Sequence, residues 1–367
     1  MKTRLANIII IICFAVTTWG FMLTNLFTPS QEFSFAERRK LAQPPELTAD
    51  KLWSGEFFED CEEYFLDQFV FRDPLRGFKA YVKLYLLGQK DNNNIYIKDG
   101  HIIKMEYPLN EHSAINAAAK FNQVYQKYLQ EMNVYYSVIP DKNYFSASQD
   151  GYLSLDYERM IEVLTQNISN MEYIDIFPEL TLNDYYKTDL HWSQEKIVKI
   201  ADKFLKTMGA DFLASEVDYT EFELSPFYGS YYGQAGLIFN PDRLVYLSSP
   251  VIESAIVFDY ETNTFSSVYK PDRFDGVDPY DVFLSGAKAL ITIENPLAES
   301  KKELVIFRDS FASSIAPLLL EGYSKITMID LRYITTDLAG ELVEFKAGSD
   351  VLFLYGTQVL NNSAMLR

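Results

Sequence analysis

Residues 303–355 read ELVIFRDSFASSIAPLLLEGYSKITMIDLRYITTDLAGELVEFKAGSDVLFLY, and they decide the fold class. Three runs, ELVIF (303–307), KITMI (325–329) and DVLFLY (350–355), stay apolar for most of their length instead of alternating. A strand with one wet face alternates, whereas a strand buried on both faces does not. A helix after Ser310 and another near 335–345 separate the runs. The order strand–helix–strand–helix–strand predicts an α/β protein with a parallel sheet covered on both faces by helices.

Working outward, VYYSVIP (134–140) and YIDIF (173–177) read as further strands, and 110–131 and 155–167 as helices. His112 falls in the first turn of the former, a solvated position. Ile197, Ile200, Ala201, Phe204, Leu205 and Met208 recur at helical spacing, with Ser193 as N-cap and Gly209 as stop. NIYIKDGHIIKM (94–105) is a hairpin turning at Asp99-Gly100, with His101 half-exposed on its return strand. Residues 211–295, rich in Tyr, Phe and Gly with short strand-like runs, read as a β-rich insertion.

The amino terminus is different in kind. Ile8 to Phe27 is apolar apart from threonines, Gly20 and Asn25, about 30 Å as a helix and enough to cross a bilayer. The stretch TTWGFMLTN (17–25) offers a poor small-x-small cleavage site, so an uncleaved signal anchor is expected over a cleaved signal peptide, with the body outside the cytoplasm. Pro29 to Pro45 reads as a linker. Residues 48–89 read as helix in two pieces split by Asp73-Pro74, their aromatic crowding taken as core. The expected organisation is a signal-anchor transmembrane helix at 1–28, a linker and helical juxtamembrane segment at 29–96, and an α/β domain at 97–367.

Composition narrows the function. Lys plus Arg number 33 against 51 for Asp plus Glu, a formal charge of −18, which opposes nucleic-acid binding. Two cysteines, Cys13 and Cys61, exclude a disulfide framework and a cysteine-built zinc site. No phosphate loop, dinucleotide fingerprint or H-E-x-x-H occurs, so neither cofactor nor metal is expected.

Two motifs carry chemistry. In Asp189-Leu190-His191-Trp192, side chains at i and i+2 of an extended segment share a face, so Asp189 is placed to orient His191 as a base. A bare D-x-H is common by chance. In Phe307-Arg308-Asp309-Ser310-Phe311, a serine follows a buried strand at the carboxyl edge of the sheet, where ligands bind and a helix start favours an oxyanion. An isolated D-S dipeptide there also serves simply as a helix cap. Lys142 and Arg332 end strands at the same edge, either reaching the pocket or pairing with Asp141 and Asp330. The loop holding Gly229, Gly233, Gln234 and Gly236 either contacts sugar through Tyr231 or Tyr232 or is a plain irregular loop.

The D-x-H-W motif followed much later by D-S-F resembles the DHHW proteins, relatives of the alginate-acetylation proteins in the SGNH hydrolase-like superfamily. Gly55, Asp67-Gln68-Phe69, Phe71-Arg72-Asp73, Ile95-Tyr96-Ile97, Ile139-Pro140-Asp141-Lys142, Arg308-Asp309-Ser310-Phe311 and Ile329-Asp330-Leu331-Arg332-Tyr333 share in the resemblance. It implies an SGNH-like domain with Ser310 as nucleophile, His191 as base and Asp189 as orienter. Lys142, Arg308, Asp309, Arg332 and Gln234 are candidates for substrate or oxyanion contacts. Two departures stand out: Leu190 replaces a family histidine, and Gly286-Ala287 stands where Gly-Asn is expected.

The implied function is a membrane-anchored extracytoplasmic enzyme acting on acyl esters of a cell-surface polysaccharide, foremost an O-acetyltransferase. Its partners would be that polysaccharide and a multi-spanning membrane acyltransferase passing acetyl groups outward. The alternatives are an acetyl-esterase and a non-catalytic polysaccharide-binding or assembly factor of the same fold.

Overall fold

A computed structural model of the chain describes residues 2–34 and 37–367. Met1, at the head of the expected anchor, and Phe35 and Ala36, within the expected linker, lie outside the described residues. The chain groups into two units, one of residues up to 92 with 232–238, the other of 93–231 with 239–367.

The larger unit is built on one eight-stranded sheet. Lys325–Ile329, Glu303–Arg308, Asp350–Gly356, Asn133–Ile139 and Glu172–Tyr173 run parallel in that spatial order. Leu290–Glu294, Ile256–Asp259 and Thr264–Ser266 extend the sheet antiparallel beyond Lys325–Ile329. The expected parallel, helix-covered sheet is therefore present, and part of 211–295 adds strands to its edge. Continuous apolar runs feed two cores at once. Leu304, Ile306, Leu352 and Leu354 pack on one face, and Val305, Phe307, Val351 and Phe353 on the other. Phe307 stacks on its register partner Phe353 with ring centroids 4.6 Å apart. Truncating either ring to alanine would cost about 3–5 kcal/mol.

Local chemistry altered several expectations. The strand expected at 173–177 pairs only through Glu172–Tyr173, because the Asp175 carboxylate accepts the Phe177 N–H (3.0 Å) and bends the chain into the turn Phe177–Glu179. Ser193 donates to the Glu195 carboxylate instead of capping, and the amphipathic helix spans only Val198–Thr207, with Gly209 just beyond it at φ +67°. The hairpin Ile95–Lys98 and His101–Lys104 turns at Asp99-Gly100, both at positive φ. His101 is buried, not half-exposed, because the next residue's N–H bonds Lys187 O (2.8 Å) and covers the strand. Burial, with Lys142 and Lys187 nearby, pushes its pKa down to about 4.

In the smaller unit the helix Lys2–Phe27 is long and apolar enough to cross a membrane. Helices Ala49–Ser54, Glu56–Asp67 and Arg72–Tyr81 follow, the last continuing in a wider turn through Leu86. The break lies at Gln68–Phe71, not at Asp73-Pro74. Pro74 sits in the first turn of the new helix, where its missing N–H costs no hydrogen bond. Asp67 holds Arg39 through both carboxylate oxygens (2.7 and 2.5 Å), which brings its pKa down to about 2.

Candidate active site

Strand Glu303–Arg308 lies inside the parallel part of the sheet, and the chain leaves its carboxyl end through Asp309, Ser310 and Phe311 into a short helix, Ala312–Ile315. Asp309 is buried and shapes this turn. Its carboxylate accepts the N–H of Phe311 (3.0 Å) and of Gly356 (2.6 Å), stapling the turn to the end of the neighbouring strand. Burial raises its pKa, against the pull of Arg332 and those two N–H groups. Ser310 is thereby held at the sheet edge, partly exposed.

The second loop arrives from 184–193. An isolated bridge pairs Tyr185 with Trp192, and Tyr186 N–H donates to His191 O (3.1 Å). Asp189 and His191 share a face, yet not as members of an extended strand. Asp189 Oδ1 accepts the His191 backbone N–H (3.0 Å) in a tight turn and lies 2.6 Å from His191 Nδ1. Its other oxygen accepts the Ser230 N–H (2.6 Å). His191 Nε2 lies 2.8 Å from Ser310 Oγ. An ionised carboxylate only accepts, so Nδ1 carries the ring proton and Nε2 faces the serine as acceptor.

The imidazole is fixed from both sides. Tyr280 stacks on it (centroids 3.8 Å, planes 3° apart) and Phe311 meets it edge-on at 4.8 Å. Ser314 Oγ accepts from Tyr280 OH (2.8 Å) and from Trp192 Nε1 (2.9 Å), tying the histidine loop to the helix after the serine. Tyr280 and Ser314 were invisible in sequence, since neither belongs to the motifs and their pairing is purely spatial.

A cavity of about 230 Å3 opens beside Ser310, lined by Asp141, Leu190, Asp309, Arg332, Thr357 and Gln358 among others. Leu190, at the position of the family histidine, lines the cavity. Arg332 satisfies both readings, forking onto Asp330 (2.9 and 2.7 Å) while lining the cavity. Lys142 satisfies neither. It is buried, donates to Tyr186 O (3.0 Å) and Lys187 O (3.2 Å), and burial pushes its pKa down to about 7. Asp141 bonds Thr357, Tyr157 and the Asn143 N–H instead, and burial brings its pKa up to about 6.

Arg308 is also buried away from the cavity, donating to Ser313 Oγ (2.8 Å) and Lys288 O (3.2 Å). Gln234 falls in the segment that groups with the smaller unit. Gly286 has φ +81° and a Cβ there would strike the Asp281 carboxylate, so its glycine is structural. Neither it nor Ala287 lines the cavity.

The DHHW protein family model matches residues 158–329, a span holding Asp189, His191 and Ser310. Among solved structures the fold is similar to a DHHW family protein from Eubacterium siraeum, 19% identical with a TM-score of 0.59, covering 75% of this chain and 94% of that one. It is also similar to Bacillus cereus PatB1, solved with a sulfonyl adduct, at 16% identity and a TM-score of 0.58, covering 72% and 97% respectively. No curated protein matches the sequence.

Proposed function

We propose, from the match of residues 158–329 to the DHHW protein family model and the likeness of fold to a DHHW family protein, that the chain is a membrane-anchored extracytoplasmic enzyme of the SGNH hydrolase-like superfamily that transfers acetyl groups to a cell-surface polysaccharide. The observation carrying this reading is the unbroken hydrogen-bonded series Asp189–His191–Ser310, at 2.6 and 2.8 Å, beside a small cavity.

In the proposed cycle Ser310 Oγ attacks the acetyl carbonyl as its proton passes to His191 Nε2. Asp189 stabilises the imidazolium that results. The tetrahedral oxyanion forms beside the Ser310 N–H at the start of the following helix, a position that favours negative charge. Collapse expels the donor's leaving group with the proton from His191, leaving acetyl on Ser310. A sugar hydroxyl, deprotonated by His191, then attacks and regenerates the serine. Water in that role would make the same site an esterase.

The anchor reading of the first helix places the body outside the cytoplasm, where acetyl donors such as acetyl-CoA are not made. A multi-spanning membrane acyltransferase would supply the acetyl group. Replacing Ser310→Ala and measuring polysaccharide O-acetylation in cells tests the proposal, and unchanged acetylation would reject Ser310 as nucleophile. Labelling by a fluorophosphonate separates an activated serine from a binding protein that keeps only the fold.

A further inference from the structure

The smaller unit leaves uncovered an apolar surface that its own fold does not explain. Along the helix Arg72–Tyr81 and its continuation to Leu86, the residues Leu75, Phe78, Val82, Tyr85 and Leu86 recur at helical spacing on one side. That side is not core. Phe78 is 68% exposed and Leu86 73%, and Ile238, which shares an apolar cleft of about 820 Å3 with Phe78, Tyr81 and Tyr85, is 97% exposed. The aromatic side chains Phe78, Tyr81 and Tyr85, expected in a core from their helical spacing, are instead exposed. Contiguous exposed apolar surface of this kind marks a docking face.

Three observations say what it docks on. The first is its place along the membrane-length helix. Phe69, just before the amphipathic helix, stacks on Phe21 at 5.5 Å, and the Val70 N–H donates to Asn25 Oδ1 at 3.0 Å. Phe21 lies about 9 Å short of the helix end at Phe27, at 1.5 Å per residue. A hydrocarbon core spanned by about twenty residues from Leu5 ends near Thr24. The apolar face is therefore moored at the level where acyl chains give way to headgroups.

The second is composition. Aromatic rings with polar tips, such as Tyr81 and Tyr85, are the residues that favour this boundary. The third is charge. In a chain of net −18, residues 72–86 carry four cations, Arg72, Arg76, Lys79 and Lys83, against one anion, Asp73. All four fall on one flank of the apolar stripe. Arg72 and Arg76 are held by Glu37, whereas Lys79 and Lys83 have no ion pair among the described residues. A basic flank beside an apolar face is the pattern of a helix lying in an anionic lipid interface.

We propose that residues 69–86, with Leu237 and Ile238, form a second membrane contact that lies in the outer leaflet beside the anchor helix. The inference rests on the anchor reading of Lys2–Phe27 and extends it. The test uses the full chain with Cys13→Ser and Cys61→Ser, carrying one new cysteine at position 78, 81, 85 or 238, labelled with an environment-sensitive fluorophore. Position 265, exposed on the other unit, is the control.

In vesicles of phosphatidylethanolamine with a minority of phosphatidylglycerol, doxyl-labelled lipid should quench the four test labels severalfold more than the control. Substituting Lys79→Glu together with Lys83→Glu should reduce that quenching. Lys79 is exposed and Lys83 half-buried, so the substitutions stay outside the core, and circular dichroism checks each variant. Labels that remain in water while the chain resists alkaline extraction would overturn the second contact and leave the anchor standing. Loss of the chain to alkaline extraction would instead sink the anchor reading. Labels quenched by water in pure lipid but shielded in native membranes would assign the face to a membrane protein and overturn the proposal.

Discussion

Gly229 never touches substrate in the proposed cycle, yet adding one methyl group there should cripple the site. A Cβ at this position would sit 2.2 Å from Asp189 Cβ, 2.4 Å from its Cα and 2.5 Å from its N. Ordinary carbon–carbon contact needs about 3.5–4.0 Å, so the two segments must part by at least an ångström. None of the obstructing atoms belongs to a flexible side-chain end, so the movement falls on the Asp189 backbone. The same backbone carries the 2.6 Å contact to His191, and the Gly229 N–H bond to Thr188 Oγ1 (2.9 Å) resists the separation. A displacement of about 1 Å costs on the order of a hundredfold in rate, and overpacking adds about 1–3 kcal/mol of destabilisation. For Gly229→Ala we expect fluorophosphonate labelling of Ser310 to slow by about two orders of magnitude in protein that still melts cooperatively. Labelling within a fewfold of the parent, in folded protein, would refute the claim that this close approach sets the Asp189–His191 geometry.

Asp189→Asn should keep the fold and lower turnover by on the order of ten-thousandfold, since the amide no longer selects the tautomer with Nε2 free; single-turnover deacetylation of a small ester measures it. Arg332→Ala should raise KM for the polysaccharide acceptor far more than it slows acylation of Ser310 by a small donor, and equal effects would remove it from acceptor binding. His101, neutral when folded down to about pH 4, takes up a proton in the unfolded chain below about 6.5. Stability should therefore fall as pH drops through that window, and thermal melts from pH 7 to 5 should show a larger loss for the parent than for His101→Gln. Asp141, whose folded pKa is raised to about 6, acts in the opposite sense between about 4 and 6, so only this paired comparison isolates the imidazole.

Where a residue's environment was set by its own segment, the sequence was readable. The runs at 303–307, 325–329 and 350–355 had to be two-sided strands, and Asp99-Gly100 had to be a turn. The pairing of Asp189 with His191 was legible too, though for another reason than the one the spacing suggested. What escaped were properties conferred by distant partners. Nothing near His101 in sequence announces that residue 187 will cover it. Lys142 ends its strand like a pocket residue, yet two carbonyls of the histidine loop capture its ammonium. Tyr280 is one of 26 tyrosines, distinguished only by the ring it lies against. The aromatic residues of 48–89 look like core because helical spacing alone does not tell which solvent the apolar face meets.

The staple from Asp309 to the Gly356 N–H also has a temporal meaning. Strand Asp350–Gly356 lies between Glu303–Arg308 and Asn133–Ile139, so the middle of the sheet waits for residues made some forty positions after the serine. Until then the serine turn lacks half of its bracing and one wall of its cavity. A chain built only as far as the serine is thus unarmed, and reactivity would switch on only once residues 350–356 have slotted home.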